Sequence, residues 1–357
     1  MASRVIICAA GGGKTTRIVE QVLAEPGARA ALLTYTQNNE REIAAKFYRR
    51  GAVIPAHIEV QTWFTFLLRE LARPYQHALH DERIEGLHWV EGRSALYVPE
   101  SRTADHYFHD GRLIYPDKIA KFVCACDHRS GGAVMRRLAQ RFDHILIDEV
   151  QDLAGYDLDI LEAMLKAGIR LTLVGDHRQA TYATNKAPKN SKFQGYRILD
   201  KFKAWDKKGL VKLTYDTHTH RCPQVIASLG DSFYPDCPPT VSKNQQVTGH
   251  DGVFVVRTAD IGAYAAAYRP QALRYDRKTK CGDLPAMNFG EVKGMTFDRV
   301  LIFPHGGAKT WLGSKELKPI EKSLAKMYVA ATRARHSLAF VFDGQPAIAD
   351  AVIYQPG

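Results

Sequence analysis

No stretch of this sequence approaches the roughly 20 consecutive apolar residues of a membrane-spanning helix, so no membrane partner is expected. The N-terminus runs straight into an apolar, strand-like stretch at 5–7, so no cleaved leader is expected. The six cysteines are scattered, which argues against a disulfide framework and for a reducing, cytoplasmic compartment. Cys124-Ala-Cys126-Asp-His128, with His106 and His109 beside it, lacks Cys-x-x-Cys spacing and a second matching pair, so a zinc centre is not expected. There is no internal repeat and no low-complexity tract.

What is there is an ordinary globular composition with a surplus of positive charge. Of 357 residues, 45% are hydrophobic and 24% are charged, enough for about two domains with proper cores. The net charge is +11 with a pI near 9.3. That surplus is equally compatible with a polyanionic partner and with solvated lysine faces.

Strand-like runs at 5–7, 30–34, 58–61, 145–147 and 171–174 alternate with helical patterns, for instance 39–49 and 62–71, the latter with Thr62 as N-cap. Such alternation predicts a parallel sheet wrapped by helices. Residues 73–130 are rich in His, Tyr and Arg with weak periodicity, and read as a small, mainly helical insertion on the first domain. A basic, aromatic-dotted stretch at 186–208 reads as a connector. The rhythm resumes from 213, with helices at 223–232 and 320–332 and strands at 252–256, 299–303 and 337–342. The expected division is a first domain at 1–185, the connector, and a second domain at 209–357.

The run Cys8-Ala-Ala10-Gly11-Gly12-Gly13-Lys14-Thr15 lies between an apolar strand and a helix. A glycine-rich turn opening a helix with Lys-Thr makes a phosphate cradle. Backbone N–H groups and the helix N-terminus face the phosphates, the lysine adds charge, and the threonine hydroxyl suits Mg²⁺. The second informative run is Ile145-Leu-Ile-Asp148-Glu149-Val-Gln151-Asp152, an apolar strand ending in two carboxylates. Beside a phosphate loop, Asp148 would hold Mg²⁺ through water and Glu149 would orient and deprotonate the attacking water. No carboxylate cluster beyond this pair suggests a nuclease centre.

Asp-Glu-Val-Gln-Asp resembles the Walker B motif of superfamily 1 helicases of the UvrD/Rep type. The remaining motifs resemble that family's in the required order. Thr34-Tyr35-Thr36-Gln37-Asn38 resembles motif Ia and Gln61-Thr62-Trp63-Phe64 resembles motif Ib; both contact single-stranded DNA in the family. Val174-Gly175-Asp176-His-Arg178-Gln179-Ala-Thr-Tyr182 resembles motif III. There the glutamine senses the γ-phosphate and an aromatic near Tyr182 stacks on a base. His220-Arg221-Cys222-Pro223 resembles motif IV, Gly290-Glu291-Val-Lys293-Gly294-Met-Thr296-Phe-Asp298 motif V, and Tyr328-Val-Ala-Ala-Thr332-Arg333-Ala-Arg335 motif VI.

The resemblance implies two RecA-like P-loop domains in tandem, with ATP and Mg²⁺ as cofactors, coupling hydrolysis in an inter-domain cleft to movement on single-stranded DNA. It implies catalytic roles for Lys14, Asp148, Glu149, Gln179, Arg221 and Arg333, the last as arginine finger. Ala10, Gly11, Gly12, Gly13, Thr15, Thr16, His220 and Gly294 would complete the nucleotide site. Thr36, Gln37, Asn38, Thr62, Trp63, Phe64 and Tyr182 would touch DNA. Trp63 and Phe64 are adjacent, so one of the two is expected to face inward.

The chain departs from the family in four places. No adenine-recognition motif precedes the phosphate loop, and His220 stands where a tyrosine often stacks on adenine. Thr296 replaces a glutamate, giving motif V a partial likeness to the RecD/Dda branch, whose direction of travel is opposite; motif II favours the UvrD side and 3′→5′ travel. The spacing of the motifs leaves no room for the large second-domain insertion. A near-minimal motor of this kind would serve as the engine of a larger assembly, with a nuclease partner or in phage defence. An RNA helicase and a nucleotide-gated DNA-binding switch are the competing readings.

Overall fold

The computed structural model describes residues 2–51, 53–185, 187–348 and 350–356. The chain divides into two compact units, one of Met1–Ile7 with Lys14–Tyr215 and one of Cys8–Gly13 with Asp216–Gly357. Each is built on a six-stranded sheet flanked by helices, the α/β arrangement expected from the alternation. Among the described residues no helix is long and apolar enough to cross a membrane.

In the first unit the strands run Ile58–Thr62, Ala30–Thr34, His144–Ile147, Leu171–Gly175, Arg4–Cys8 and Lys212–Asp216 across the sheet. The pairs among the first five are parallel. Ala30–Thr34 and His144–Ile147 are buried along their whole length, which is why both read as unbroken apolar runs rather than as alternating ones. The helix Lys14–Leu23 turns Ile18, Val19 and Val22 inward. Gln37–Arg49 starts where the Thr36 hydroxyl accepts a hydrogen bond from the Asn39 N–H.

Thr62 caps the next helix as its sequence predicts, accepting from the Thr65 N–H. That helix keeps α geometry only over Trp63–Phe66, then widens to a π turn at Leu67–Ala72 and tightens to a 3₁₀ turn at Arg73–Ala78. The insertion differs from the mainly helical expectation. It holds one short helix, Thr103–Tyr107, and a three-stranded sheet of Gly86–Leu87, Phe108–His109 and Leu113–Ile114. Residues 116–129 do not belong to it: Pro116–Arg129 is a core helix that buries Ile119, Phe122, Val123 and Cys126.

The stretch 186–208 is likewise no connector, although Lys186 itself lies outside the described residues. Its helix Ile198–Lys207 buries Ile198, Leu199, Phe202 and Trp205 in the first unit's core, and Glu162 takes hydrogen bonds from Lys201 and the Trp205 indole. The unit boundary falls instead between Tyr215 and Asp216.

The second unit orders its strands Ala286–Asn288, Gln271–Arg274, Phe297–Phe303, Ala334–Val341, Gly252–Val256 and Ala351–Ile353, all in parallel pairs. One sheet face packs on Ile226, Trp311, Met327 and Tyr328, the other on Tyr264 and Cys281. The helix predicted at 320–332 is a 3₁₀ turn, Lys318–Ser323, followed by Leu324–Ala331.

Candidate nucleotide site and nucleic-acid face

Lys14 is the first residue of its helix and is nearly buried, with its ammonium 3.7 Å from a Glu149 carboxylate oxygen. Next to it the Thr15 hydroxyl donates to Asp148 Oδ2 at 2.7 Å. Asp148 ends its strand with its N–H bonded to the Leu33 carbonyl, and its Oδ1 accepts from the Glu149 N–H at 2.9 Å. Burial, then the neighbouring Glu149 charge, pushes the Asp148 carboxyl up to about 6, against the pull of Lys14 and the Thr15 hydroxyl. Two hard oxygens held this close are a donor set suited to Mg²⁺.

Glu149 itself adopts left-handed backbone (φ 56°, ψ 40°), uncommon for a side chain of its size. Its carboxylate accepts from the Gln151 amide. Gln151 in turn accepts, through Oε1, the Asp176 N–H at 3.0 Å. Asp176 is fully buried and receives the Arg178 N–H and Nε and the Gln179 amide, the last at 2.9 Å. Burial would raise its carboxyl, but the charges of Arg178, Lys14 and His177 hold it well below the usual carboxylate range.

The result is an unbroken string, Thr15–Asp148–Glu149–Gln151–Asp176–Gln179, through three segments far apart in sequence. Gly175 is required within it, because a Cβ there would lie 2.3 Å from Gln151 Oε1. Gln151 and Asp176 join the string beyond the residues that the motifs assign to the site. The signal for Asp176 was its place at the end of an apolar strand.

The remaining expected nucleotide residues are distributed as follows. Thr16 accepts from Lys46 Nζ at 3.1 Å. Ala10 to Gly13 group with the second unit, where Ala10 joins its apolar cluster and its carbonyl takes the Thr219 hydroxyl at 2.6 Å. Gly11 has φ +77, and a Cβ there would meet Arg221 Cβ at 2.5 Å, so both backbone and space demand glycine. Arg221 donates to the Thr332 carbonyl at 3.0 Å. Arg333 is buried, donating to the Val329 and Met295 carbonyls and the Thr332 hydroxyl. Motifs IV, V and VI thus meet at the adjacent Thr332 and Arg333. Gly294 and His220 are exposed.

The expected DNA contacts divide. Gln37 and Asn38 are exposed at the start of their helix, and Tyr182 is 43% exposed. Trp63 is a correction: it is wholly buried, its indole N–H donating to the buried Asp157 at 2.9 Å. Phe64 is buried as well, so neither of the adjacent pair faces out. The helical turn they share is covered all round, with Phe66 and Leu67 also buried. Thr62 is committed to its cap. Cys124 and Cys126, on the core helix, have thiols pushed up to about 12 by burial, a protonated state that disfavours metal binding.

Residues 108–193 match the family model of the UvrD/REP helicase N-terminal domain. No curated protein matches the chain. Among solved structures, the chain is similar to the arterivirus nonstructural protein 10 helicase (16% identity, TM-score 0.48, 95% of this chain and 59% of that one). It is similar also to that helicase in complex with DNA (16%, TM-score 0.49, 95% and 60%) and to the PRRSV helicase (17%, TM-score 0.45, 95% and 52%). The chain therefore spans little more than half the length of these proteins. The segment that matches the UvrD/REP helicase N-terminal domain model, residues 108–193, is the one that carries Asp148, Glu149 and Gln179.

Proposed function

We propose that this chain is a nucleic-acid-dependent ATPase that moves on single-stranded DNA. The observation that carries the reading is the hydrogen-bonded string from Thr15 to Gln179, which joins the phosphate-loop threonine, the acidic pair and the motif III glutamine into one largely buried network. Phosphoryl transfer is catalysed mainly by positioning and charge stabilisation, which such a network provides. Lys14 would neutralise the phosphates, Asp148 with Thr15 would hold Mg²⁺, and Glu149 would accept the proton of the attacking water. Bound Mg²⁺ would supply charge neutralisation across the phosphate oxygens. Arg221 and Arg333 are assigned to the γ-phosphate by their motifs.

Motif II is the basis for assigning 3′→5′ travel. The short insertion and the motif spacing are the basis for assigning the chain as the motor of a larger assembly, with a nuclease partner or in phage defence. The test is ATP turnover with and without oligonucleotide, followed by translocation on strands labelled at either end. Stimulation by single-stranded DNA with motion towards the 5′ end is the expected result. Stronger stimulation by RNA would replace the substrate, and stimulation without motion would leave a nucleotide-gated switch.

A further inference from the structure

The first unit carries a run of touching aromatic rings that no motif contains as a whole. Tyr182 and Tyr35 have ring centroids 6.4 Å apart, Tyr35 and Phe64 5.9 Å, and Phe64 and Trp89 5.2 Å. The two ends of the run are open and its middle is not. Tyr182 is 43% exposed and Trp89 64% exposed, whereas Phe64 is buried. Trp89 comes from the insertion, outside every recognised motif. It meets Phe64 in a T-shaped contact, at 85°, and most of the indole surface stays open.

Its position is fixed by what precedes it. Trp89 follows the short strand Gly86–Leu87, the His88 N–H bonds to the Ile114 carbonyl at 3.0 Å, and the His88 ring stacks on His109 at 3.9 Å. The chain buries each of its other tryptophans: Trp63, Trp205 and Trp311 are at most 2% exposed. A rigidly held, open indole in line with an exposed tyrosine is the arrangement that binds unstacked bases, each of which offers a π-face whatever its identity.

We infer that Trp89 is a base-stacking residue, extending the single-strand path from Tyr182 across Tyr35 onto the insertion. This rests on the nucleic-acid reading above and adds the residue and the direction of the path. The ligand is a nucleobase of a single strand, taken without sequence preference.

The distribution of tryptophans makes the test direct. The full chain is titrated with an oligothymidine strand, binding being followed independently by anisotropy of a label on the strand. Tryptophan emission should fall as the strand binds, because the one open indole lies against a base. Trp89→Phe should bind within a few-fold of the parent and lose that change in emission. Trp89→Ala should bind roughly 5- to 150-fold more weakly, the range expected for one lost stacking partner. Thermal unfolding of both variants at the parent's temperature would show that the fold is intact.

A strand that binds the parent without altering its emission, or that binds Trp89→Ala as tightly as the parent, overturns the proposal and leaves the nucleic-acid reading standing. A parent that binds no strand removes that reading itself.

Discussion

Two lines of side chains run through the first unit, and they are built on opposite principles. The polar line, Thr15 to Gln179, is buried throughout most of its length and held by hydrogen bonds with every group committed to a named partner. The aromatic line, Tyr182 to Trp89, is held by ring contacts of tilted and edge-on geometry, and it surfaces at both ends. Charge chemistry needs fixed atoms in a low-dielectric setting, where a displaced oxygen changes a pKa or loses a metal. Stacking needs only an open face and tolerates a shift. The difference teaches where each line should fail: the polar one abruptly, on any single substitution, and the aromatic one by degrees.

The sharpest break is Glu149→Gln. It keeps the size and the contact with Gln151 but removes the base, so turnover should drop by roughly 10²–10⁴-fold with nucleotide still bound. Single-turnover hydrolysis beside a nucleotide-binding titration checks this, and near-normal turnover would refute the general-base role.

Gly175→Ala attacks the same line through packing. Its Cβ would force Gln151 off the Asp176 N–H, leaving a buried donor without its acceptor at about 1–3 kcal/mol. Chemical denaturation should register that loss and ATPase assays a parallel fall; the aromatic line's strand binding should be spared.

Asp157 stands outside both lines: it holds the Trp63 indole, the chain neighbour of Phe64, and also takes the Thr184 hydroxyl. Burial pushes its carboxyl up to about 6 despite those two donors, from an ordinary value of 3.8. The folded state therefore binds this proton more tightly than the unfolded chain does. The stabilisation is fully present below about pH 4 and is lost as pH rises through about 6, amounting to at most about 3 kcal/mol. Asp148, also near 6, adds a slope of the same sign. Asp157→Asn should flatten the fall in denaturation midpoint between pH 4.5 and 7, and an unchanged pH profile would show that the carboxyl is not what titrates.

Thr36→Ala is the smallest expected effect. Losing the cap of Gln37–Arg49 should cost roughly 0.5–2 kcal/mol, with exposed Gln37 and Asn38 loosened and the polar line untouched. Turnover that fell as far as in Gly175→Ala would blur the contrast between the two lines.

Much of this was legible in the sequence because the central strands are apolar runs that a buried parallel sheet requires. Ala30–Thr34, His144–Ile147 and Leu171–Gly175 all lie where the pattern puts them. The acidic pair and the Lys-Thr turn were legible because strand ends place polar residues in a line. What escaped did so for physical reasons. In 198–207 an apolar stripe of Ile198, Leu199, Phe202 and Trp205 sits at helical spacing within a lysine-rich background, and the charge concealed the periodicity. The insertion's strands are two residues long, too short for any alternation to register. Trp63 and Phe64 point some 100° apart on a helix, which predicts one inside and one outside only where a single face is covered. Here the turn is enclosed. Trp89 was invisible because its meaning lies in Phe64, Tyr35 and Tyr182, which only the fold brings together.

The left-handed backbone at Glu149 has a consequence for how such a chain would age. That conformation strains a glutamate by an amount on the order of 1–3 kcal/mol, while asparagine and glycine adopt it with much less cost. Stability and chemistry thus pull the same codon in opposite directions. A population held only to the requirement that it fold should shed this glutamate early.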